Sequence, residues 1–155
     1  MKKVTTRELK WINKGYIKKL SYNKFEAKGK NSFFYCVSDE NFTLSFSSNP
    51  KAKNYSFIIS ISDKTFYSLN FNENISIVTS INGYKTETFI DKDFIKNPDK
   101  FNIKIERNSN CFNLFIDEKF LSSATLPAAM DAISFGYLFN NKEFIEINDF
   151  LYIKK

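Results

Sequence analysis

Apolar and polar residues alternate with a period of two along most of this chain. The clearest run begins at Phe101, where Phe101, Ile103 and Ile105 are separated by Asn102 and Lys104. The polar stretch 107–110 reads as a turn, after which Phe112, Leu114 and Ile116 resume the alternation. Successive side chains leave a strand on opposite faces, so this period marks half-buried strands. Asp117-Glu118 turns the chain toward Phe120 and Leu121, and two further strands follow over 133–139 and 145–153. The connections are too short for the crossovers that parallel pairing needs, which predicts an antiparallel sheet.

The same pattern extends toward the N-terminus. Residues 32–37 form an apolar run, and Phe42, Leu44 and Phe46 alternate with Thr43 and Ser45. Phe57, Ile59 and Ile61 alternate with serines, and Tyr67, Leu69 and Phe71 follow. Ile75, Ile77 and Ile81 lead into Asn82-Gly83, and Thr86, Thr88 and Ile90 return. Asn-Gly suits a two-residue type I′ hairpin because both central positions take φ > 0. Loops are marked by Pro50 within 49–54 and by Pro98 within 91–100. About eleven strands at intervals of roughly eight to twelve residues predict an all-β sandwich or barrel.

Residues 1–30 stand apart by charge. They hold ten Lys/Arg against two acids, a net of +8, whereas the remaining 125 residues have a net of −2. The segment reads as a basic N-terminal extension ahead of a sandwich over 31–155. Thr5-Thr6-Arg7-Glu8 fits a capping box, and Gly15 is a candidate helix end. The competing reading starts the first strands at Leu9, Trp11, Tyr16 and Ile17.

Composition adds limits. The 155 residues suffice for one domain, and eighteen phenylalanines argue for a packed interior. No apolar run reaches the roughly 18 to 20 residues of a spanning helix, and MKKVTTRELKW lacks the apolar region of a secretory signal. A cytoplasmic location is therefore expected, with Cys36 and Cys111 as buried free thiols.

Three stretches carry a family resemblance: NFTLSFSSNP…YSFIISIS…FYSLNFN, FNIKIERNSNCFNLFIDEKFL and AISFGYLF…IEINDFLYI. In order and character they resemble the strands of the concanavalin A-like lectin/glucanase superfamily, with a laminin-G-like pattern. The resemblance covers roughly 32–153 and implies a two-sheet antiparallel jelly-roll sandwich. It also implies a glycan-binding, hydrolytic or protein-binding role. At the second hairpin Asp117-Glu118-Lys119 departs from the family's turn by lacking glycine.

The chain has no histidine, which excludes His-based triads, His metal sites and His acid–base catalysis. The carboxylate strand of the glucanase branch has its nearest counterpart in Glu146-Ile147-Asn148-Asp149, which lacks the alternating acids that chemistry needs. Asp91, Asp93, Asn97 and Asp99 match no calcium loop and read as loop acids. No cofactor, metal or enzymatic activity is expected. Aromatic rings remain as ligand contacts, and Trp11, Tyr55, Tyr67, Tyr84 and Tyr137 are the candidates at strand ends or in loops. The expected function is a non-catalytic, lectin-like carbohydrate-binding module. The alternative is a protein-interaction or assembly module on the same sandwich. The partner is accordingly a glycan or a protein, with an anionic partner a further reading for the basic end.

Gly83→Val should lower stability by about 1 kcal/mol or more, because a β-branched residue is strained at positive φ. A urea midpoint equal to that of the parent would place the turn elsewhere.

Overall fold

A computed structural model describes residues 2–4, 14–50, 54–128 and 131–155. Among these residues there are twelve strands. They are β1 (Lys2–Val4), β2 (Lys14–Ser21), β3 (Lys24–Val37), β4 (Asn41–Pro50), β5 (Tyr55–Ser62) and β6 (Thr65–Phe71). β7 (Ile75–Ile81), β8 (Tyr84–Ile90), β9 (Phe101–Asn108), β10 (Cys111–Ile116), β11 (Lys119–Thr125) and β12 (Ile133–Lys154) complete the set. A short 3-10 turn at Lys92–Phe94 lies in the long loop. No helix among the described residues is long and apolar enough to cross a membrane.

The strands form two antiparallel sheets packed as a sandwich. The front sheet takes the second part of β3, the first part of β12, then β5, β6, β7 and β8. The back sheet runs β11, β10, β9, β4, the second part of β12, the first part of β3 and β2, with β1 beside β12. The two strands expected over 133–139 and 145–153 are thus one strand of 22 residues. It runs through both sheets, and β3 accompanies it in antiparallel register.

The described part of the basic segment is strand. Gly15 lies inside β2 and ends no helix, because β2 pairs with β3 from Lys14↔Phe33 to Ser21↔Lys24. Phe25 and Ala27, within the same segment, are buried in the core. The capping-box residues Thr5–Glu8 and Trp11 lie outside the described residues.

Between the sheets the alternation becomes an aromatic interior. Phe34 contacts Phe25 at 5.2 Å, Phe46 at 5.7 Å, Tyr137 at 5.9 Å and Phe57 at 6.5 Å between ring centroids. Tilted and edge-on pairs of this kind add to the area they bury. Cys36 and Cys111 are free, but each is half-buried and not buried as expected. In β10 the inward set is Phe112, Leu114 and Ile116, so Cys111 leaves on the other face.

Turns behave as their residues dictate at Asn82-Gly83, where φ is 52° and 92° and Ile81 faces Tyr84. The β10–β11 turn takes the same left-handed pair without glycine, at Asp117 (φ 48°) and Glu118 (φ 66°). Asp117 holds it there. Its carboxylate accepts from the Asn102 amide at 2.9 Å, and its own amide donates to the Asn102 carbonyl at 3.0 Å.

Arg107, read from sequence as the start of a turn, is the last inward residue of β9 and is fully buried. Its guanidinium donates to the carbonyls of Ser109 (2.7 Å), Asp39 (2.8 Å) and Ala128 (3.2 Å). It also lies 5.4 Å from the Phe112 ring centroid. Burial draws its pKa below the ordinary value, while Glu40, Tyr152 and Asp39 act in the opposite direction. The Asp39 carboxylate accepts from the Tyr152 hydroxyl and pairs with Lys154 at 3.1 Å. One buried cation therefore ties three loops to one end of the sandwich. Arg107→Met keeps the stem but strands three carbonyls, and should cost about 3 kcal/mol or more by denaturant unfolding. A loss below about 1 kcal/mol would show that water replaces the guanidinium.

Candidate functional site

The outer faces of the two sheets differ in chemistry. The back sheet carries ion pairs: Lys24 with Glu146 at 2.9 Å, Lys28 with Glu26 at 3.7 Å, and Lys104 with Glu118 at 3.0 Å and Glu106 at 3.9 Å. The front sheet carries serine and asparagine. Outward positions are Ser56, Ile58 and Ser60 on β5, Phe66, Ser68 and Asn70 on β6, Ser76, Val78 and Ser80 on β7, and Lys85, Glu87 and Phe89 on β8.

These positions fall opposite one another because the strands are joined by tight hairpins in register. Ser56 faces Asn70, and Asn70 faces Ser76. A directional hydrogen-bond chain follows. The Ser56 hydroxyl donates to Asn70 Oδ1 at 2.6 Å, Asn70 Nδ2 donates to Ser76 Oγ at 3.4 Å, and Ser76 donates to Glu87 Oε2 at 3.1 Å. Ser68 donates to the same Asn70 oxygen at 3.4 Å. The chain crosses four strands and ends on a carboxylate.

Ser56, Ser68 and Asn70 of this chain line a groove of 480 Å³ together with Phe33, Ile58, Phe66, Val78, Lys85 and Leu138, and Ser76 and Glu87 continue the hydrogen bonds beyond its lining. That volume is within the range of about 300 to 1,000 Å³ usual for small-ligand sites. Lys85 Nζ sits 5.8 Å from the Phe66 ring centroid at one end, and Phe89, 65% exposed, stands at the open edge opposite Ser76.

Phe33 reaches the groove through a break in register. Phe135 pairs with Tyr35 but Gly136 pairs with Phe33, so Phe34 bulges. Phe34 and Tyr35 both turn into the core, and Phe33 lies outward over Gly136. A Cβ at Gly136 would come within 2.6 Å of the Ser32 carbonyl, 2.8 Å of Phe33 Cα and 2.9 Å of Phe33 Cδ1.

The sequence-chosen aromatics are dispersed by the fold. Tyr67 and Tyr137 are buried on the inner face, where desolvation pushes the Tyr67 phenol up to about 12 and raises Tyr137 further. Tyr137 shares a hydrogen bond with Ser48 at 3.1 Å. Their rings face the core and not the groove, because both occupy inward positions of strands on the sandwich's central axis. Tyr55 is buried and stacks on Phe71 at 4.7 Å. It lines a separate 380 Å³ cleft with Asn54, Asn72, Glu73 and Asp99 at one end of the sandwich. Tyr84 is 87% exposed beside the β7–β8 turn, on the face of β8 opposite to Phe89. Trp11 lies outside the described residues. Of the loop acids, Asp91 accepts from the Asp93 amide at 2.9 Å and Asn97 from the Asp99 amide at 3.1 Å, as turn residues do.

No family model matches the chain, and no curated protein matches it. Among solved structures it is similar to a Saccharomyces cerevisiae protein described as functionally unknown, with a TM-score of 0.76 at 10% identity over 98% of this chain and 99% of that one. It is also similar to a Bacillus licheniformis β-glucanase, with a TM-score of 0.56 at 9% identity over 85% and 78% of the two chains. A third is the botulinum neurotoxin serotype G binding domain, with a TM-score of 0.57 at 15% identity over 99% of this chain and 47% of that one. The fold is the concanavalin A-like jelly roll. At these identities the likeness concerns fold alone, and the jelly roll hosts both a glucanase and a toxin binding domain. The chain spans about half of the toxin domain, at 47% of its length.

The groove residues carry a sequence signal that single-strand reading overlooks. Three successive hairpin-linked strands place Ser or Asn at outward positions, so the polar partners of each alternation form one surface. Gly136→Ala should destabilise the chain by about 1 to 3 kcal/mol, since Ser32 and Phe33 must shift to admit the methyl. Chemical denaturation checks this, and an unchanged midpoint would mean that β3 is not seated over Gly136.

Proposed function

We propose that this chain is a non-catalytic, lectin-like carbohydrate-binding module whose ligand lies in the front-sheet groove. The observation that carries the reading is the Ser56–Asn70–Ser76–Glu87 chain, which starts in a groove lined by Ser56, Ser68 and Asn70 beside Phe33 and Phe66. A neutral glycan offers hydroxyls that both donate and accept, as do the rungs of that chain. Its apolar ring faces pack against aromatic surfaces such as Phe33, Phe66 and Phe89.

A protein-interaction module is the second reading, favoured by the exposure of β8, where Tyr84 is 87% and Phe89 65% exposed. A glycan array followed by titration calorimetry separates the two. The full chain should retain a neutral glycan, and Asn70→Ala or Phe66→Ala should each weaken binding about tenfold, the loss of one rung or one ring contact. Lys104→Ala, on the opposite face, should leave the affinity unchanged. Retention of no glycan, or equal binding by both groove variants, overturns the carbohydrate reading. A stoichiometric protein captured in its place selects the second.

A further inference from the structure

β8 ends the front sheet, and among the described residues no strand pairs with its outer edge. Every residue from Tyr84 to Phe89 is exposed. Free edges are commonly blunted by charged side chains, which β8 carries as Lys85 and Glu87, and also by proline or by a bulge that twists them away. β8 has neither of the latter two: its sequence YKTETFI lacks proline, and its ladder with β7 runs unshifted from Ile75↔Ile90 to Ile81↔Tyr84. The β11 edge of the back sheet is different, because the β10–β11 ladder shifts register between Leu114 and Phe115.

The hairpin fixes which groups the edge offers. Flanking a two-residue turn, Ile81 and Tyr84 form a hydrogen-bonded pair, and bonded and non-bonded pairs then alternate along β8. The N–H and C=O groups of Lys85, Glu87 and Phe89 therefore point to the open side. A strand joining antiparallel must match bonded position to bonded position, which leaves few registers for a second copy. With the two-fold axis at Glu87, two carboxylates oppose each other, and like charges directly opposite are unfavourable. With the axis at Thr86, Lys85 opposes the partner's Glu87, and the symmetric operation repeats that pairing.

We propose that β8 pairs antiparallel with β8 of a second copy of this chain, about a two-fold axis through Thr86. The occupant is a second copy because the strand is complementary to itself in this register, with Lys85 and Glu87 two positions apart on one face. The pairing joins the two front sheets into one. It stands whether or not the groove binds glycan. If the groove does, two sites lie side by side on a continuous face and gain avidity without new contacts.

Sedimentation of the full chain over a concentration series tests the pairing. The parent should dimerise, and Lys85→Glu or Glu87→Lys alone should weaken the dimer about tenfold, since each turns two attractive pairs into repulsive ones. The double exchange Lys85→Glu/Glu87→Lys should restore it. Register is tested in a background of Cys36→Ser and Cys111→Ser. There Thr86→Cys should oxidise to a covalent dimer, because a non-bonded pair on the axis brings Cα atoms to about 4.5 Å. Thr88→Cys, which faces the partner's Tyr84, should not. A parent that stays monomeric, a double exchange as weak as the single ones, or equal crosslinking at both positions would overturn the proposal.

Discussion

The length of β12 governs the architecture. Over Ile133–Lys154 it is paired on both sides along most of its course, with β5 and β3 in the front sheet and with β4, β3 and β1 in the back. A strand shared in this way fixes the relation of the two sheets without a loop between them. Its inward residues run from Phe135 and Tyr137 to Ile145 and Ile147, so one strand lines the core in both layers. The break that lets it serve both sheets lies between Leu138 and Glu143, where its register with β3 shifts; pairing with β5 ends at Phe139 and pairing with β4 begins at Ile145. A second irregularity lies inside the back sheet at Asp149, which adopts φ 54° where the β4 register shifts between Asn148 and Leu151. There the Phe150 amide donates to the Asn23 carbonyl at 3.0 Å, and its side chain enters the core.

The site depends on that arrangement through β3. Because β3 follows β12, the bulge at Phe34 places two consecutive aromatics inward and Phe33 outward, onto the floor of the front groove. Across the groove the row Ile58, Ser68 and Val78 is flanked by Ser60 and Phe66 on one side and by Ser56 and Asn70 on the other, so polar and apolar groups alternate on the front face. Ser68 and Ser76 are themselves buried there, and a buried hydroxyl is tolerated because it has a partner. The same serines give the face its capacity to exchange hydrogen bonds with a hydroxylated ligand. Charge is concentrated on the other sheet, where Lys104 alone meets two carboxylates and the Phe115 ring at 4.5 Å.

Arg107 shows a different use of polarity. Its guanidinium sits at one end of the sandwich, and its partners are carbonyls of three separate connections. A hydrogen-bonding fork of this shape can close irregular backbone that no ladder reaches. The Asp39 carboxylate, held by Tyr152 and Lys154, anchors the same corner from the other side.

Much of the fold was legible in the chain because a period of two is a local property. The alternations 42–46, 57–61, 101–105 and 112–116 became strands with their apolar sets inward, and Asn82-Gly83 became the left-handed turn its residues favour. Other features were decided only by tertiary contacts. Whether 133–139 and 145–153 are two strands or one depends on neighbours that pair across the gap. The burial of Arg107 depends on the carbonyls of Asp39 and Ala128, distant in sequence, besides that of nearby Ser109, and polarity alone suggested a turn. Tyr67 and Tyr137 carry the same side chain as Tyr84, yet two are core and one is exposed: Tyr84 shares its sheet face with Tyr67 but stands at the end of the edge strand β8, where every residue from Tyr84 to Phe89 is exposed. The serine ladder belongs to both levels. Each serine is written as the polar half of an alternation, but only hairpin register brings Ser56, Asn70, Ser76 and Glu87 within hydrogen-bonding distance across four strands.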